Sequence, residues 1–483
     1  MDPASDAEQL PILLDPASSD EYSPVPLAPA VREARKLSWA NATDNARRLG
    51  MSRRDFLRTS MGAATVLLAL QACSRDNNRG GRFDLPGDAG LDRDAAGSVL
   101  DRDLPVIDAQ THFLDYDLNT PEPPRFFGDH FPQAQCGAAD ARACFTVDQF
   151  VDVVFTRSET ALCVLSAIAA PDPHQGQLPV ETMARARQRV AEVVGPGRML
   201  LHGLLAPSER SLAAVHDDLE AIVTTFEVSG WKAYTNNGRA WRLDDGDRNL
   251  PQVGLPSLQK IVDLGVPRIC VHKGISGGDD ALAPADVGPA AKQFPNVKFG
   301  VYHSGWEPEV PEGPFTQATA GRGTNRLIAS LQGAGIRPNQ NVFAEIGSTW
   351  FNVMRKPDDA AHVIGKLLVH VGEDRLMWGT DSIWYGSPQD QIQAFRTFQI
   401  SEALQAAHGY PRMTPQLRAK VFGLNAVKPY NLNARSVRQY TERDAVAREK
   451  AEYAQAPNPS FATYGPQNRR QFLNLMRASG GGP

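Results

Sequence analysis

The stretch Arg268–His272 (RICVH) is a short apolar run that ends in a histidine, and Val297–His303 (VKFGVYH) repeats this design. A helical pattern precedes the first run, and alternation of short β-branched runs with helical patterns is typical of parallel βα units. The same alternation on either side gives eight predicted strands: Pro105–Ala109, Ala161–Ile168, Met199–Leu205, Gly230–Tyr234, Arg268–His272, Val297–His303, Asn341–Ile346 and Arg375–Asp381. The helices predicted between them include Val180–Val194, Leu212–Phe226, Leu255–Leu264 and Ala360–Val371. This pattern predicts an α/β fold, a (β/α)8 TIM barrel with a long insertion after strand one. Doubly wound sheets are the alternative, but they rarely place polar residues at the end of every strand.

Polar residues stand where several predicted strands end. His112 follows strand one, His272 ends strand five, His303 ends strand six and Asp381 ends strand eight. In a barrel these ends meet at one mouth, where the active site lies. Imidazole and carboxylate groups together suit zinc and related divalent ions. Any single histidine is more simply a surface or core residue, so the prediction of a metal site depends on the ordered group.

The composition excludes several classes of protein. Lys plus Arg total 50 against 55 Asp plus Glu, and this formal charge of −5 gives no support to a nucleic-acid binder. The mean hydropathy is −0.34, and no apolar run reaches the ~20 residues of a membrane span. Five cysteines exclude a disulfide-dense scaffold. A large enzyme or binding protein remains.

A basic patch, Ser52–Arg58 (SRRDFLR), precedes the short apolar run Met61–Leu70, which is the layout of a signal peptide. The patch resembles the twin-arginine export motif, with Arg58 in place of the usual lysine. Leu70–Cys73 (LQAC) resembles a lipobox, which implies lipidation at Cys73; the alternative is simple cleavage. The resemblance implies the twin-arginine machinery as a partner and an exported protein, either periplasmic or anchored to the membrane by lipid.

The chain is predicted to divide into five parts. Residues 1–50 should be disordered, because the first thirty hold six acids, no base and few large apolar groups. Residues 51–73 are the signal, 74–103 a linker, 104–435 the barrel and 436–483 a tail that begins with a charged amphipathic helix over Arg435–Ala454. The start of the chain is left open between Met1 and Met51.

The insertion over residues 113–145 contains Phe126, Phe127 and His130 and is expected to be a lid or disordered. Cys136 and Cys144 lie eight positions apart in it, and in an oxidising compartment they can form a disulfide. Cys163 and Cys270, within apolar strand runs, are expected to be buried free thiols.

The ordered group of residues resembles the amidohydrolase superfamily, and within it the branch of aminocarboxymuconate-semialdehyde decarboxylases and lactone hydrolases. The resemblance covers about Val106 to Leu432, including the run VFGLNA at 421–426. The family pattern is His-x-His on strand one, His on strands five and six, and Asp on strand eight. It implies that His112, His272 and Asp381 bind a divalent metal, with zinc expected.

One position departs from that pattern, because Gln110 replaces the first strand-one histidine. Its carbonyl oxygen is neutral and weakly basic, so three outcomes stay open. Gln110 or water completes the metal site, the metal binds more weakly, or the metal is lost and the protein is a catalytically silent binding lipoprotein.

The resemblance implies a metal-dependent hydrolase of an ester, lactone or amide, with a decarboxylase of an aromatic or unsaturated acid as the alternative. Asp381 would accept the proton of the attacking water, and His303 would orient that water or stabilise the oxyanion. A small cyclic or aromatic acid is the expected substrate. Its carboxylate would be held by Lys232, Lys273 or Arg239, and its pocket would be lined by Lys232, Tyr234, Trp306, Trp384 and Tyr385.

Overall fold

The computed structural model describes residues 9–19, 21–74, 80–101, 104–115, 136, 138, 140–442, 445–455 and 465–478. Eight strands pair in parallel and in chain order. They are β1 (Val106–Thr111), β2 (Thr160–Ser166), β3 (Met199–Leu205), β4 (Gly230–Tyr234), β5 (Arg268–His272), β6 (Lys298–Tyr302), β7 (Val342–Glu345) and β8 (Leu376–Met377). Every predicted strand is present, and the (β/α)8 barrel is confirmed.

The barrel closes where the chain after β8 returns to β1. The backbone N–H of Ala109 donates to the carbonyl of Trp378 at 3.0 Å, and the N–H of Asp381 donates to the carbonyl of Gln110 at 2.9 Å. The N–H of His112 then donates to the carbonyl of Ser382 at 2.6 Å. This seam brings the polar ends of the first and last strands side by side at the mouth.

The helices lie between the strands and at both ends of the described chain, and those predicted from periodicity are present to within a few residues. They are α1 (Pro29–Arg48), α2 (Arg53–Leu57), α3 (Ser60–Ser74), α4 (Arg93–Leu100), α5 (Val147–Val151), α6 (Val180–Val193), α7 (Leu212–Phe226), α8 (Gly254–Asp263), α9 (Val287–Gln293), α10 (Asn325–Ala334), α11 (Thr349–Val353), α12 (Pro357–His370), α13 (Gln389–Thr397), α14 (Glu402–His408), α15 (Pro415–Ala419), α16 (Asn425–Val427), α17 (Ala434–Glu442), α18 (Ala447–Gln455) and α19 (Arg469–Ala478). The strands are buried almost throughout, which explains their continuous apolar runs.

The segment before α1 packs on the barrel, so the prediction of disorder over residues 1–50 is wrong for the part that the structure describes. Ile12 and Leu14 are fully buried, and the N–H of Leu13 donates to a carboxylate oxygen of Asp390 at 3.0 Å. The segment has too few apolar groups for a core of its own, but the barrel supplies the surface that covers them.

The apolar run of the predicted signal forms α3, which is buried along most of its length and packs against α1. Arg53 and Arg54 at the start of α2 are exposed, and Cys73 near the end of α3 is a half-buried free thiol. Among the described residues, no helix combines the length and the apolar character needed to cross a bilayer.

Two further boundaries differ from the prediction. In the predicted linker, Gly81–Phe83 forms an antiparallel pair with Phe398–Ile400 and α4 follows, so the described part of this stretch belongs to the fold. The charged helix predicted over Arg435–Ala454 is divided into α17 and α18. In both cases a few apolar side chains are buried against the barrel domain. Composition alone does not predict such contacts between distant parts of the chain.

The insertion after β1 is described only near its ends. Cys136 and Cys144 form the predicted disulfide, with their Cα atoms 5.4 Å apart. Cys163 and Cys270 are buried free thiols, also as predicted. Residues Phe126, Phe127 and His130 lie outside the described residues.

Candidate active site

Gln110, His112 and Asp381 meet at the seam of the barrel, and all three are buried. The Gln110 Nε2 donates to the Asp381 Oδ1 at 2.8 Å, and the His112 Nε2 lies 3.3 Å from the same oxygen. The His112 Nδ1 is 2.8 Å from the carbonyl of Ser166, to which it can only donate. That contact orients the ring so that Nε2 faces Asp381, and in the neutral ring Nε2 would be free to bind a metal.

His272 and His303 form a second pair across the mouth. The His303 Nε2 is 3.2 Å from the His272 Nδ1, and the His303 Nδ1 donates to the carbonyl of Gly347 at 2.8 Å. Burial lowers the pKa of His303 to about 4 and places the pKa of His272 well below its ordinary value. Both rings are therefore neutral near pH 7, which is the form that binds metals.

The carboxylate of Asp381 is held on its other side by a hydroxyl. Ser348 donates to the Asp381 Oδ2 at 2.5 Å, and its oxygen lies 2.6 Å from the hydroxyl of Tyr385. Burial alone would raise the pKa of Asp381, but hydrogen bonds from His112 and Ser348 lower it below its usual value. The site thus keeps this carboxylate ionised and fixed in orientation.

Four of the ten described non-glycine residues with positive φ lie at this mouth. Asp381 has φ of 61°, His303 of 64°, Ser304 of 51° and Ser348 of 56°, all in the left-handed region that non-glycine residues rarely occupy. Such conformations cost about 1–3 kcal/mol each and cluster at functional sites. Here they direct the side chains of strand-end residues into the mouth.

Lys232 ends in a buried aromatic cage. Its Nζ lies 4.4 Å from the ring centroid of Tyr234 and 4.1 Å from that of Tyr302, and it makes no hydrogen bond to any described residue. Burial lowers its pKa to about 8. Lys273 differs, because it forms a buried ion pair with Asp286 at 2.9 Å, so the suggestion that it binds a substrate carboxylate is wrong.

Aromatic rings lie over two of the site histidines. Tyr234 stacks on His272 with ring centroids 5.3 Å apart, and Trp384 stacks on His112 at 6.2 Å. Such flat surfaces flank the space that a planar ligand would occupy. Arg239, the third suggested carboxylate partner, is exposed.

Tyr385 and Trp306, the other two predicted pocket residues, contact the segment before α1. The sequence did not predict that this segment reaches the site. The hydroxyls of Tyr385 and Tyr22 are 2.9 Å apart, and the amide of Asn352 donates to the Tyr22 hydroxyl at 2.8 Å. The ring of Trp306 meets Tyr22 edge-on, with centroids 6.1 Å apart. Tyr22 and Ser348 are therefore site residues that no motif in the sequence marked.

The neighbour of Tyr22 also enters the mouth. The Glu21 Oε1 is 3.4 Å from the His272 Nδ1, and Glu21, His272 and His303 each offer one ligand atom within 4.8 Å of the others. The surplus of acids before residue 30 was visible in the sequence, but nothing there placed one of them at the site.

The donor types at the mouth suit a divalent cation. They combine the imidazoles of His112 and His272 with the carboxylate of Asp381, a mixture that zinc and related ions accept. The Gln110 Oε1 is buried and accepts no hydrogen bond from any described residue. A buried acceptor without a donor is costly unless a cation or water satisfies it.

The sequence profile of the amidohydrolase family matches residues 107–432, from within β1 to beyond β8, which is more than half of the chain. The chain belongs to the amidohydrolase family. The matched range contains every barrel residue of the site, whereas Glu21 and Tyr22 precede it.

Several solved structures are similar at low sequence identity. 5-Carboxyvanillate decarboxylase from Novosphingobium aromaticivorans, complexed with manganese and 4-hydroxy-3-methoxy-5-nitrobenzoic acid, is 14% identical; the match covers 68% of this chain and 96% of that one, with a TM-score of 0.42. 2,6-Dihydroxybenzoate decarboxylase from Rhizobium is 13% identical over 68% and 99%, with a TM-score of 0.40. 4-Oxalomesaconate hydratase from Rhodopseudomonas palustris is 15% identical over 68% and 95%, with a TM-score of 0.41. No curated protein matches the chain.

Proposed function

We propose that the chain is a metal-dependent hydrolase that cleaves an ester, lactone or amide bond in a small cyclic or aromatic acid. The observation that carries the proposal is the set of contacts on the Asp381 carboxylate. It accepts hydrogen bonds from Gln110 and Ser348, and it lies beside the Nε2 of His112. An ionised carboxylate fixed beside candidate metal ligands is the arrangement that a general base requires.

His112, His272 and Asp381 would hold the metal, with zinc as the proposed ion and Gln110 beside it. When bound, a divalent cation lowers the pKa of a bound water and polarises a carbonyl group. Asp381 would take the proton of the attacking water and later return it to the leaving group. His303, whose Nδ1 proton is committed to Gly347, would accept a hydrogen bond at Nε2 and so orient the water.

Lys232 supports a substrate that carries a carboxylate. A buried ammonium group without a hydrogen-bond partner among the described residues is a strong site for an anion. The rings of Tyr234 and Trp384 would contact the flat faces of the substrate, and Trp306 and Tyr385 would complete the pocket wall.

Non-oxidative decarboxylation is the second candidate. The same metal ligands serve it, and the stacked rings over His112 and His272 favour a planar aromatic acid. In this reaction Asp381 or His303 would first take up a proton from solvent and then deliver it to the ring carbon, whose bond to the departing carbon dioxide breaks. A silent binding lipoprotein, with no turnover, is the third.

One experiment separates the three candidates. The purified full chain is loaded with Zn²⁺ or Mn²⁺ and assayed for acid release from carboxylated lactones and aryl esters, and for carbon dioxide release from aromatic acids. We expect hydrolysis in the wild type and loss of both metal and activity in His112→Ala, His272→Ala and Asp381→Ala, while His408→Ala on α14 retains both. Carbon dioxide release without hydrolysis would favour the decarboxylase. Failure of the wild type to bind either metal would refute the proposal of a metal-dependent enzyme.

We further propose that the protein is exported by the twin-arginine route and lipidated at Cys73. The motif around Arg53 and Arg54 supports this, and both arginines are exposed and accessible to a receptor. Export would require α3 to leave its packing against α1. Fractionation of cells that produce wild type, an Arg53→Lys/Arg54→Lys variant and Cys73→Ser tests the proposal; an unchanged distribution in all three would contradict it.

A further inference from the structure

We propose that Glu21, from the segment before α1, is a ligand of the metal in this site. This inference rests on the proposed function, because it assumes that the mouth binds a divalent ion. It assigns a role to the mouth segment, defined as residues 9–19 and 21–28, which lies outside the range matched by the amidohydrolase family.

The mouth segment is anchored on both sides of Glu21. Before it, the N–H of Leu13 is bonded to Asp390 and the carbonyl of Asp15 accepts from the Arg355 Nη1 at 2.9 Å. After it, Tyr22 is buried and its hydroxyl lies within hydrogen-bond distance of Tyr385. These contacts fix the backbone around residue 21, so its side chain is pre-organised at the mouth.

The spacing within each of two donor pairs suits neighbouring ligands of a metal ion, and Glu21 and His272 also lie within 4.8 Å of a ligand atom of His303. Two donors about 2.1 Å from a tetrahedral metal are about 3.4 Å from each other. The Glu21 Oε1 and the His272 Nδ1 are 3.4 Å apart, and the His112 Nε2 and Asp381 Oδ1 are 3.3 Å apart. A cation shared by the two groups accounts for a carboxylate oxygen and an imidazole nitrogen at this distance.

Charge gives an independent reason for a second carboxylate. Imidazole and amide ligands bring no negative charge to a metal, so Asp381 is the one anion in the ligand set predicted from the sequence. A divalent ion in a buried site is better compensated by two carboxylates than by one. Glu21 would supply this second carboxylate.

The test measures metal affinity rather than turnover. The affinities of the full chain for Zn²⁺ and Mn²⁺ are determined by competition with a chromophoric chelator. We expect Glu21→Gln to weaken binding by at least about 10-fold, because the loss even of a group that only supports a ligand costs about 10–100-fold. Glu33→Gln is the matched control, because Glu33 is an exposed acid on α1 that pairs with Lys36, and its affinity should equal that of the wild type.

A second variant distinguishes a ligand from a group that only holds the mouth segment in place. In Glu21→Gln/Gln110→Glu the lost carboxylate is returned from strand one, and we expect metal affinity to recover to within a few-fold of the wild type. Weakened binding without recovery would overturn the ligand role. Equal affinity of wild type and Glu21→Gln, with loss in His272→Ala, would refute this inference alone; no binding by the wild type would refute the proposed function.

Discussion

Replacing Lys232 with methionine should increase stability while it abolishes carboxylate binding. Lys232 lies within β4 and Lys273 directly follows the neighbouring strand β5, and both are buried. Lys273 has Asp286 as a partner, whereas Lys232 has two aromatic rings and no hydrogen bond to a described residue. The two lysines therefore form a matched pair for one measurement.

The magnitude follows from the pKa of Lys232, which burial lowers from 10.5 to about 8. That difference corresponds to about 3 kcal/mol of unfavourable free energy for the charged form at pH 7. Cation–π contacts with Tyr234 and Tyr302 return about 1–2 kcal/mol. Methionine fills a similar volume without a charge. We therefore expect the free energy of unfolding of Lys232→Met to exceed that of the wild type by about 1–3 kcal/mol.

The pH dependence has a defined sign. A lysine whose pKa is depressed in the folded state destabilises the fold, and this cost is at its full size at any pH below the folded pKa. The cost then decreases as the pH rises towards the pKa of the unfolded chain. The stability difference between Lys232→Met and wild type should therefore be constant below pH 8 and vanish by about pH 10.5. Lys273→Met should instead lose about 3–5 kcal/mol at pH 7, since Asp286 is left buried without its partner.

Urea unfolding of the metal-free proteins, followed by tryptophan fluorescence, measures these differences. Titration with an aromatic carboxylate measures binding in parallel, and the wild type should bind while Lys232→Met does not. A loss of stability in Lys232→Met as large as that in Lys273→Met would refute the reasoning, because it would mean that Lys232 has a compensating partner.

Three other perturbations have expected outcomes. Reducing the Cys136–Cys144 disulfide should lower the free energy of unfolding by about 2–3 kcal/mol, measured by urea unfolding with and without reductant, because the closed loop is short. Lys366→Met should lose about 3–5 kcal/mol, because Glu312 stays buried without its cation; Lys366→Met/Glu312→Leu should recover most of that loss. Burial lowers the pKa of His362 to about 4, so the folded protein loses stability as pH falls from 6.5 to 4; His362→Asn should flatten that part of the thermal-melting profile.

The barrel and its strand-end residues were predictable, because they follow from periodicity and position. Each strand is a short buried run, and His272 and His303 appear at the end of theirs. In a parallel barrel the position along a strand decides which residues meet, so His112 and Asp381 could be assigned to one mouth from sequence order. The hydrogen bond from Gln110 to Asp381 was not predictable, since the orientation of an amide depends on which neighbours it meets.

Glu21 was not predictable for a different physical reason. Its position depends on contacts that join distant parts of the chain, such as Leu13 with Asp390 and Tyr22 with Tyr385. Neither strand nor helix periodicity describes an extended segment whose apolar side chains are buried against another part of the chain. Composition then predicts disorder, because it counts only the apolar groups that the segment itself contributes.

The apolar helix α3 packs against α1, a helix that the composition of residues 1–50 did not predict. An export signal and a buried helix need the same uniformly apolar composition, so α3 by itself fits both. On α1, however, Ala34, Ser38, Ala42 and Ala46 recur at every fourth residue, and all four are buried. This spacing places four small side chains on one face, where another helix can approach closely. The Asn45 amide donates to the Thr65 hydroxyl at 3.2 Å across the α1–α3 contact. The stripe on α1 therefore explains the packing of α1 on α3 that export would have to undo, and Ala42→Leu should separate α1 from α3 and increase proteolysis within residues 29–74.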